Sequence, residues 1–469
     1  DREQFPRYQI GESLLPATIH GVCRLLGVSD AIHAAGFVRK HGGTFRWGKD
    51  PTPWTFDFGT ARVNQTLEFN YAYQVERAKF DDLLLGNARR HGVEVQEETT
   101  VTEVIQGDGR ISGVVLKDAA GRISAARARF VIDASGNQSR LHAHAGERVY
   151  SRFFQNVALF AYFEGAGRLP VPNSGNIFSC IFPYGWFWYI PLSDTLTSVG
   201  AVVAKEHAEK LQAGPERAMR EFIDACPEIT ALLSSATRVE SGMYGSYRVR
   251  KDYSYINSRF WTPGLVLVGD AACFVDPVFS SGVHLATYSG MLAARSIATI
   301  LRGEMPEEAG LDIYERRYRS EFSVFYDFLI SFYDMHRDEQ SYFWNARKVL
   351  GSEETANHAF LQLVAGAGTT VGEFLRLRER SGELFQLRVD GTIDPAKRPE
   401  LNRELLRERD VCKVHMRAVS RQIRVASTDG LEAPLEFHAD GDPATNDGYR
   451  VSPDGLRWER IDGSAPARP

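Results

Sequence analysis

Residues 264–284 constrain the chain more than any other stretch. Gly264-Leu265-Val266-Leu267-Val268 is a short apolar run, Gly269-Asp270 forms a corner, and a small-residue segment follows whose spacing predicts a helix from His284 to Leu301. A strand that turns sharply into a helix belongs to an α/β fold and brings a backbone corner and a helix start to one place. Gly269 allows close approach of a ligand, Asp270 can accept hydrogen bonds from a sugar hydroxyl, and the first N–H groups of the helix face outward unpaired. Gly-Asp corners also occur in α/β proteins without this role. The continuation Asp276-Pro277-x-x-Ser280-Ser281-Gly282 is what narrows the reading.

Four other stretches carry chemistry. Near the start, Asp1-Arg2 precedes Gly11-Glu12-Ser13, and by itself a terminal acidic residue reads as a solvated charge. Gly36-Phe37-x-x-Lys40 stands ahead of Phe45-x-Trp47-Gly48, where the lysine is either solvated, as most are, or buried and reactive. Arg77 opens a helical segment, where an arginine by itself reads as a surface cation. Trp186-x-Trp188-x-Ile190-Pro191 alternates, so a strand places both indoles on one side, as core or as a wall.

Taken together, these motifs resemble the flavin-dependent halogenases within the p-hydroxybenzoate-hydroxylase-like FAD enzymes. The resemblance covers residues 1 to about 345 and implies an α/β fold of that type. It implies FAD contacts at Asp1, Arg2, Gly11, Glu12, Ser13, Arg77, Gly269, Asp270 and Pro277. It further implies a halide site at Ser281 and Gly282, Lys40 as the catalytic residue, and Trp186, Trp188, Ile190 and Pro191 as the halogenase signature. In that family the indoles separate flavin from organic substrate, so chloride or bromide meets the activated flavin and hypochlorous acid travels to the lysine. FAD is supplied reduced by a separate NAD(P)H-dependent reductase, and O2 is consumed. Lys40 then either donates a hydrogen bond to the hypohalous acid or is itself chlorinated. Tryptophan halogenases carry a glutamate just before the Ser-Thr-Gly element; here that position is Phe279. The chain therefore resembles the chondrochloren-type branch, which implies an electron-rich, phenolic ring, free or bound to a carrier protein, in natural-product biosynthesis. An FAD-dependent aromatic hydroxylase and a geranylgeranyl-reductase-like enzyme remain alternatives on the same fold, and a scaffold without flavin is a third. The resemblance also implies that the glycine-rich βαβ turn lies upstream of Asp1.

The remaining layout is expected as follows. An FAD domain takes residues 1–150 and 240–307, a β-layer on the substrate side takes 151–239 with 37–70, and a helical region with a hairpin tail takes 308–469. Within these, helices are expected over Leu14–Ala35, 205–233, 308–349 and 353–427, a meander over 93–133, a strand over 238–247, and a hairpin from Tyr449–Val451 to Leu456–Trp458. Gly107-Asp108-Gly109 is a hairpin turn, and Gly366-Ala367-Gly368 follows a helical pattern, so neither is a dinucleotide turn. A net charge of -5 argues against nucleic acid. No run of eighteen apolar residues and no signal-peptide pattern occurs, which gives the expectation of a cytoplasmic protein off the membrane. The 5 cysteines, Cys23, Cys180, Cys226, Cys273 and Cys412, lack a C-x-x-C pair and are expected as free thiols, with no metal.

Overall fold

Alternation along Gly185–Pro191 divides the molecule into layers. Trp186, Trp188 and Ile190 enter one buried cluster, while Phe187 and Tyr189 enter another on the opposite side. This strand lies inside an eight-stranded sheet in a computed structural model that describes residues 1–47, 52–60, 70–151, 154–251, 254–334, 449–452 and 455–460. The sheet runs Thr237–Arg238, Asn156–Glu164, Leu196–Ala204, Gly185–Pro191, Ile177–Phe182, Gly42–Arg46 and Trp54–Asp57, with Arg248–Lys251 also paired to Asn156–Glu164. All pairings are antiparallel except Gly42–Arg46 with Ile177–Phe182.

One face is covered by helices Pro215–Asp224 and Pro227–Leu232, which insert Met219, Phe222 and Ile229. The other face meets the large core that contains Leu14, Leu267, Leu285 and Phe332. Covering on both faces explains why Leu196–Ala204 is buried at almost every position instead of at alternate ones.

The opening stretch forms its own small sheet. Leu265–Leu267 pairs in parallel with Val131–Asp133 and antiparallel with Trp261–Thr262. Beyond the corner, helix Ser281–Leu301 packs on helix Glu307–Asp334; at Gly310 an added Cβ would lie 2.8 Å from the Ile300 side chain, so glycine permits the close crossing. Thr100–Gly107, Arg110–Lys117 and Ile123–Arg127 form the expected meander, turning at Asp108 and Gly109, both at positive φ.

Several expected elements differ. The helix over Leu14–Ala35 is two pieces, a wide π-helical turn at Ala17–Cys23 and a short helix Ser29–Ala34, because Gly27 adopts φ 70 between them. The helix over 205–233 is three pieces, Lys205–Ala213, Pro215–Asp224 and Pro227–Leu232. Each proline lacks an N–H and fits a first helical turn, so each restarts the helix. The strand over 238–247 is split by a turn at Gly242–Tyr244, and only its flanks pair with Asn156–Glu164. In the tail, Tyr449–Val451 pairs with Trp458–Arg460, so the second strand begins later than Leu456. The Trp458 indole lies against helix Ser281–Leu301, donating to Ser296 Oγ at 2.8 Å.

The helices over 353–427, the Gly366–Gly368 stretch, Gly48, Phe328, Tyr342, Phe343, Trp344 and Cys412 lie outside the described residues or side chains. Among the described residues, no helix is long and apolar enough to cross a membrane.

Candidate functional site

Lys40 ends strand Val38–Lys40, which is held by Ala72–Gln74. Its side chain is carried inward, leaving the residue 2% exposed. Nζ donates to the Leu14 carbonyl at 3.1 Å and reaches Ser280 Oγ at 3.5 Å, with the Phe58 ring centroid 5.5 Å away. No carboxylate forms a salt bridge with it among the described residues. Burial penalises the ammonium and brings its pKa from 10.5 down to about 7, so charged and neutral forms coexist near neutrality. Ser280 holds φ 60, a left-handed conformation unusual for a residue with a side chain, immediately before helix Ser281–Leu301.

The paired indoles lie on the same side of their strand, tilted, with ring centroids 6.3 Å apart. Trp188 is seated over Gly200, its cross-strand partner, where an added Cβ would fall 2.2 Å from the indole. Trp186 meets Trp47 at 6.0 Å, and Trp47 meets Phe332 at 4.6 Å. Phe332 also packs on Phe279, at 4.7 Å, and on Phe45, at 5.7 Å. Along helix Glu307–Asp334, Tyr314, Tyr318, Phe322 and Phe325 are core, while Phe332 and Tyr333 approach the indoles. Ile190 and Pro191 continue the strand, with Ile190 buried beside the indoles.

The segments expected to hold FAD converge. Arg77 Nη1 donates to the carbonyls of Ile10 and Gly11, and its other nitrogens form a bidentate pair with Asp81. Arg7 extends this chain, 3.0 Å from Asp81 and 3.7 Å from Asp1. Asp1 is also tied to residues 96–99, whereas Arg2 donates to Gln138 at 2.7 Å. Gly11 has φ 98 and approaches Arg77 so closely that a Cβ would lie 2.8 Å from Nη1. Burial raises the Asp270 pKa to about 6, offset in part by Arg77 and Arg148. Gly269 turns at φ 58, with its N–H donated to Ser289 Oγ at 2.8 Å. Pro277 offers its carbonyl to the Ser280 N–H at 3.0 Å.

These residues suit a polar cofactor. Glu12 Oε2 and Ser13 Oγ are buried with no protein partner, and they stand beside a glycine whose backbone no other residue tolerates well. Ser281 Oγ is likewise buried without a partner at the expected halide position. Gly282 has a further steric reason to be glycine, because the Phe274 ring would lie 2.8 Å from an added Cβ.

The sequence reading missed several groups. Asp276 is buried, and burial raises its pKa to about 7; it accepts from the Val278 N–H and from Tyr333. Glu12, taken only as a cofactor contact, also accepts from Tyr162 at 2.7 Å, and burial raises its pKa to about 7. His284 meets Glu321 at 3.0 Å beneath the helix start. Asp276 was visible as part of the Asp-Pro motif, but Tyr333 and Tyr162 gave no local signal. On the other face of the sheet, Cys180 Sγ and Cys226 Sγ lie 3.6 Å apart with Glu228 3.7 Å from Cys226, a group of metal-donor types that the sequence spacing did not announce. Glu228 is paired with Arg46 at 3.1 Å.

Comparison with known proteins adds to this geometry. A family profile described as tryptophan halogenase matches residues 1–68 and 61–387. A tryptophan 2-halogenase of Chondromyces crocatus is 34% identical over 353 residues, 74% of this chain and 65% of that protein's length. A 1H-pyrrole-2-carbonyl-[peptidyl-carrier protein] brominase of Pseudoalteromonas luteoviolacea is 32% identical over 309 residues, 65% of this chain and 71% of that protein. Among solved structures, the myxobacterial chondrochloren halogenase, described as a variant of FAD-dependent halogenases, superposes with a TM-score of 0.73 at 48% identity, covering 98% of this chain and 93% of that one.

Proposed function

The chain belongs to the tryptophan halogenase family of flavin-dependent halogenases, and from that premise we propose that it halogenates an electron-rich aromatic ring through Lys40. The observation that carries this reading is a buried lysine that forms no salt bridge among the described residues, held between the Leu14 carbonyl and Ser280.

Gly11, Glu12, Ser13, Arg77, Gly269, Asp270 and Pro277 would hold FAD, with Asp1 and Arg2 toward its adenosine end, and Ser281 and Gly282 would hold the halide. Reduced FAD, when bound, supplies with O2 the two-electron chemistry that converts halide to hypohalous acid. The residues of the chain do the rest. Trp186 and Trp188 keep the organic ring away from the flavin. Lys40 receives the oxidised halogen by one of two routes that its pKa of about 7 leaves open. As ammonium it donates a hydrogen bond to the oxygen of the hypohalous acid and makes the halogen more electrophilic. As amine it exchanges N–H for N–halogen with release of water. In either case a ring carbon takes the halogen and loses its proton.

Phe279 cannot take that proton, which supports a phenolic substrate whose own hydroxyl activates the ring. The carrier-protein brominase among the relatives supports carrier-bound delivery as one form of that substrate. Chloride is the halide proposed first, with bromide as a competitor, and a separate flavin reductase supplies the reduced cofactor.

The test uses the protein with a flavin reductase, NADH, FAD, O2 and either chloride or bromide, offered free phenolic acids and carrier-bound ones. Halogenated product that depends on halide, and is lost in Lys40→Ala, is expected. A hydroxylated product formed equally well without halide would overturn the reading in favour of a monooxygenase.

A further inference from the structure

The Trp186 N–H ends, through one hydroxyl, at a buried carboxyl. Trp186 Nε1 donates to Tyr333 Oη at 2.6 Å, and Tyr333 Oη donates to Asp276 Oδ2 at 3.0 Å. An indole nitrogen can only donate, so the Tyr333 hydroxyl accepts from Trp186 and directs its own hydrogen to the carboxyl. The other indole, Trp188, donates to Ser198 Oγ at 3.2 Å. Among the described residues, Asp276 forms no salt bridge, so its burial is not explained by ion pairing.

The segment of Asp276 also holds the lysine. Ser280, four residues after Asp276, gives Lys40 a hydroxyl, and Leu14 gives it a carbonyl. Residues 276–280 therefore reach Lys40 through Ser280 and Trp186 through Asp276 and Tyr333, while Leu14 holds Lys40 from a second segment.

We propose that Asp276 is a positioning residue for the indole wall, holding Trp186 through Tyr333. The functional weight of this rests on the wall proposed above; the hydrogen-bonded arrangement does not. The ionised carboxyl is the stronger acceptor for the Tyr333 hydroxyl, and protonation weakens that bond and loosens the hold on the indole. The groups that face Asp276 are Tyr333, Asn156 and the Val278 N–H, all uncharged. Burial outweighs them and brings the carboxyl to about 7.

The experiment follows tryptophan fluorescence and near-ultraviolet circular dichroism of the whole chain from about pH 5.5 to about pH 9, where ordinary carboxyls are ionised. Lys40 and Asp270 titrate in the same range, so the relay is read as the difference between the parent and Tyr333→Phe. A component centred at about pH 7 is expected in the parent, lost in Tyr333→Phe and lost in Trp186→Phe. The hydroxyl variant keeps the shape of the side chain it replaces, and far-ultraviolet circular dichroism checks that it folds. Superposable pH profiles for the parent and Tyr333→Phe would overturn the proposal. A protein that never halogenates yet shows these profiles would sink the functional reading and leave the positioning intact.

Discussion

At the scale of single residues, Lys40 has a consequence for stability that does not depend on turnover. Its folded pKa is about 7, against 10.5 for an ordinary lysine. Between those values the unfolded chain binds a proton that the folded chain does not, so by linkage its contribution to stability rises with pH across that window. Below about 7 the penalty for the buried charge is fully present; above about 10.5 it has gone. Lys40→Met removes the charge while keeping most of the volume. That variant is expected to be more stable than the parent near pH 6 and to lose the advantage progressively toward pH 10. Urea unfolding of both proteins at a series of pH values measures this. A difference that stays constant with pH would mean that the lysine reaches solvent. The sequence suggested Lys40 only through its motif neighbours. Its burial depends on Leu14, Phe58 and Ser280, which come from three separate places in the chain.

At the scale of elements, the strand Gly185–Pro191 was legible because alternation is a local property, and two tryptophans two residues apart must share a side. Its seat was not legible. Gly200 lies opposite Trp188 only because Gly185–Pro191 and Leu196–Ala204 pair in one register, and that register follows from which face each strand buries. The partners of the indoles were equally hidden, since Tyr333 stands on a helix 147 residues away in sequence. Where the element predictions failed, at Gly27, Pro215 and Pro227, the apolar spacing ran on past residues that break the backbone pattern. Gly200→Ala tests the seat directly. The added methyl would lie 2.2 Å from the indole, which is buried against Phe160 and Trp186, so the ring cannot simply slide away. A loss of about 1–3 kcal/mol is expected from overpacking. A change in near-ultraviolet circular dichroism should accompany it as Trp188 is displaced. An unchanged melting temperature would show that the indole is not seated on that glycine.

At the scale of the whole molecule, the motifs were readable one by one, whereas their assembly is a matter of tertiary structure. Gly11 and Arg77 are joined by a hydrogen bond, and Arg77 is joined in turn to Asp81, Arg7 and Asp1. In this arrangement the Arg77 guanidinium is already engaged, four of its contacts being to protein, so its role toward FAD is to fix the loop at Ile10–Gly11 as much as to meet the ligand. A ligand that binds only the folded state stabilises it by about 2.7 kcal/mol at a hundredfold excess over Kd. Saturating FAD should therefore raise the melting temperature of the parent protein. Arg77→Ala removes the bidentate partner of Asp81, which keeps only Arg7, and strands two carbonyls, which lowers the melting temperature without FAD, and it frees the loop that would meet the cofactor, which shrinks the rise on adding FAD. The second effect discriminates, because a purely structural arginine would lower both melting temperatures equally. An FAD-dependent rise in Arg77→Ala as large as in the parent would place the cofactor away from the Gly11 loop.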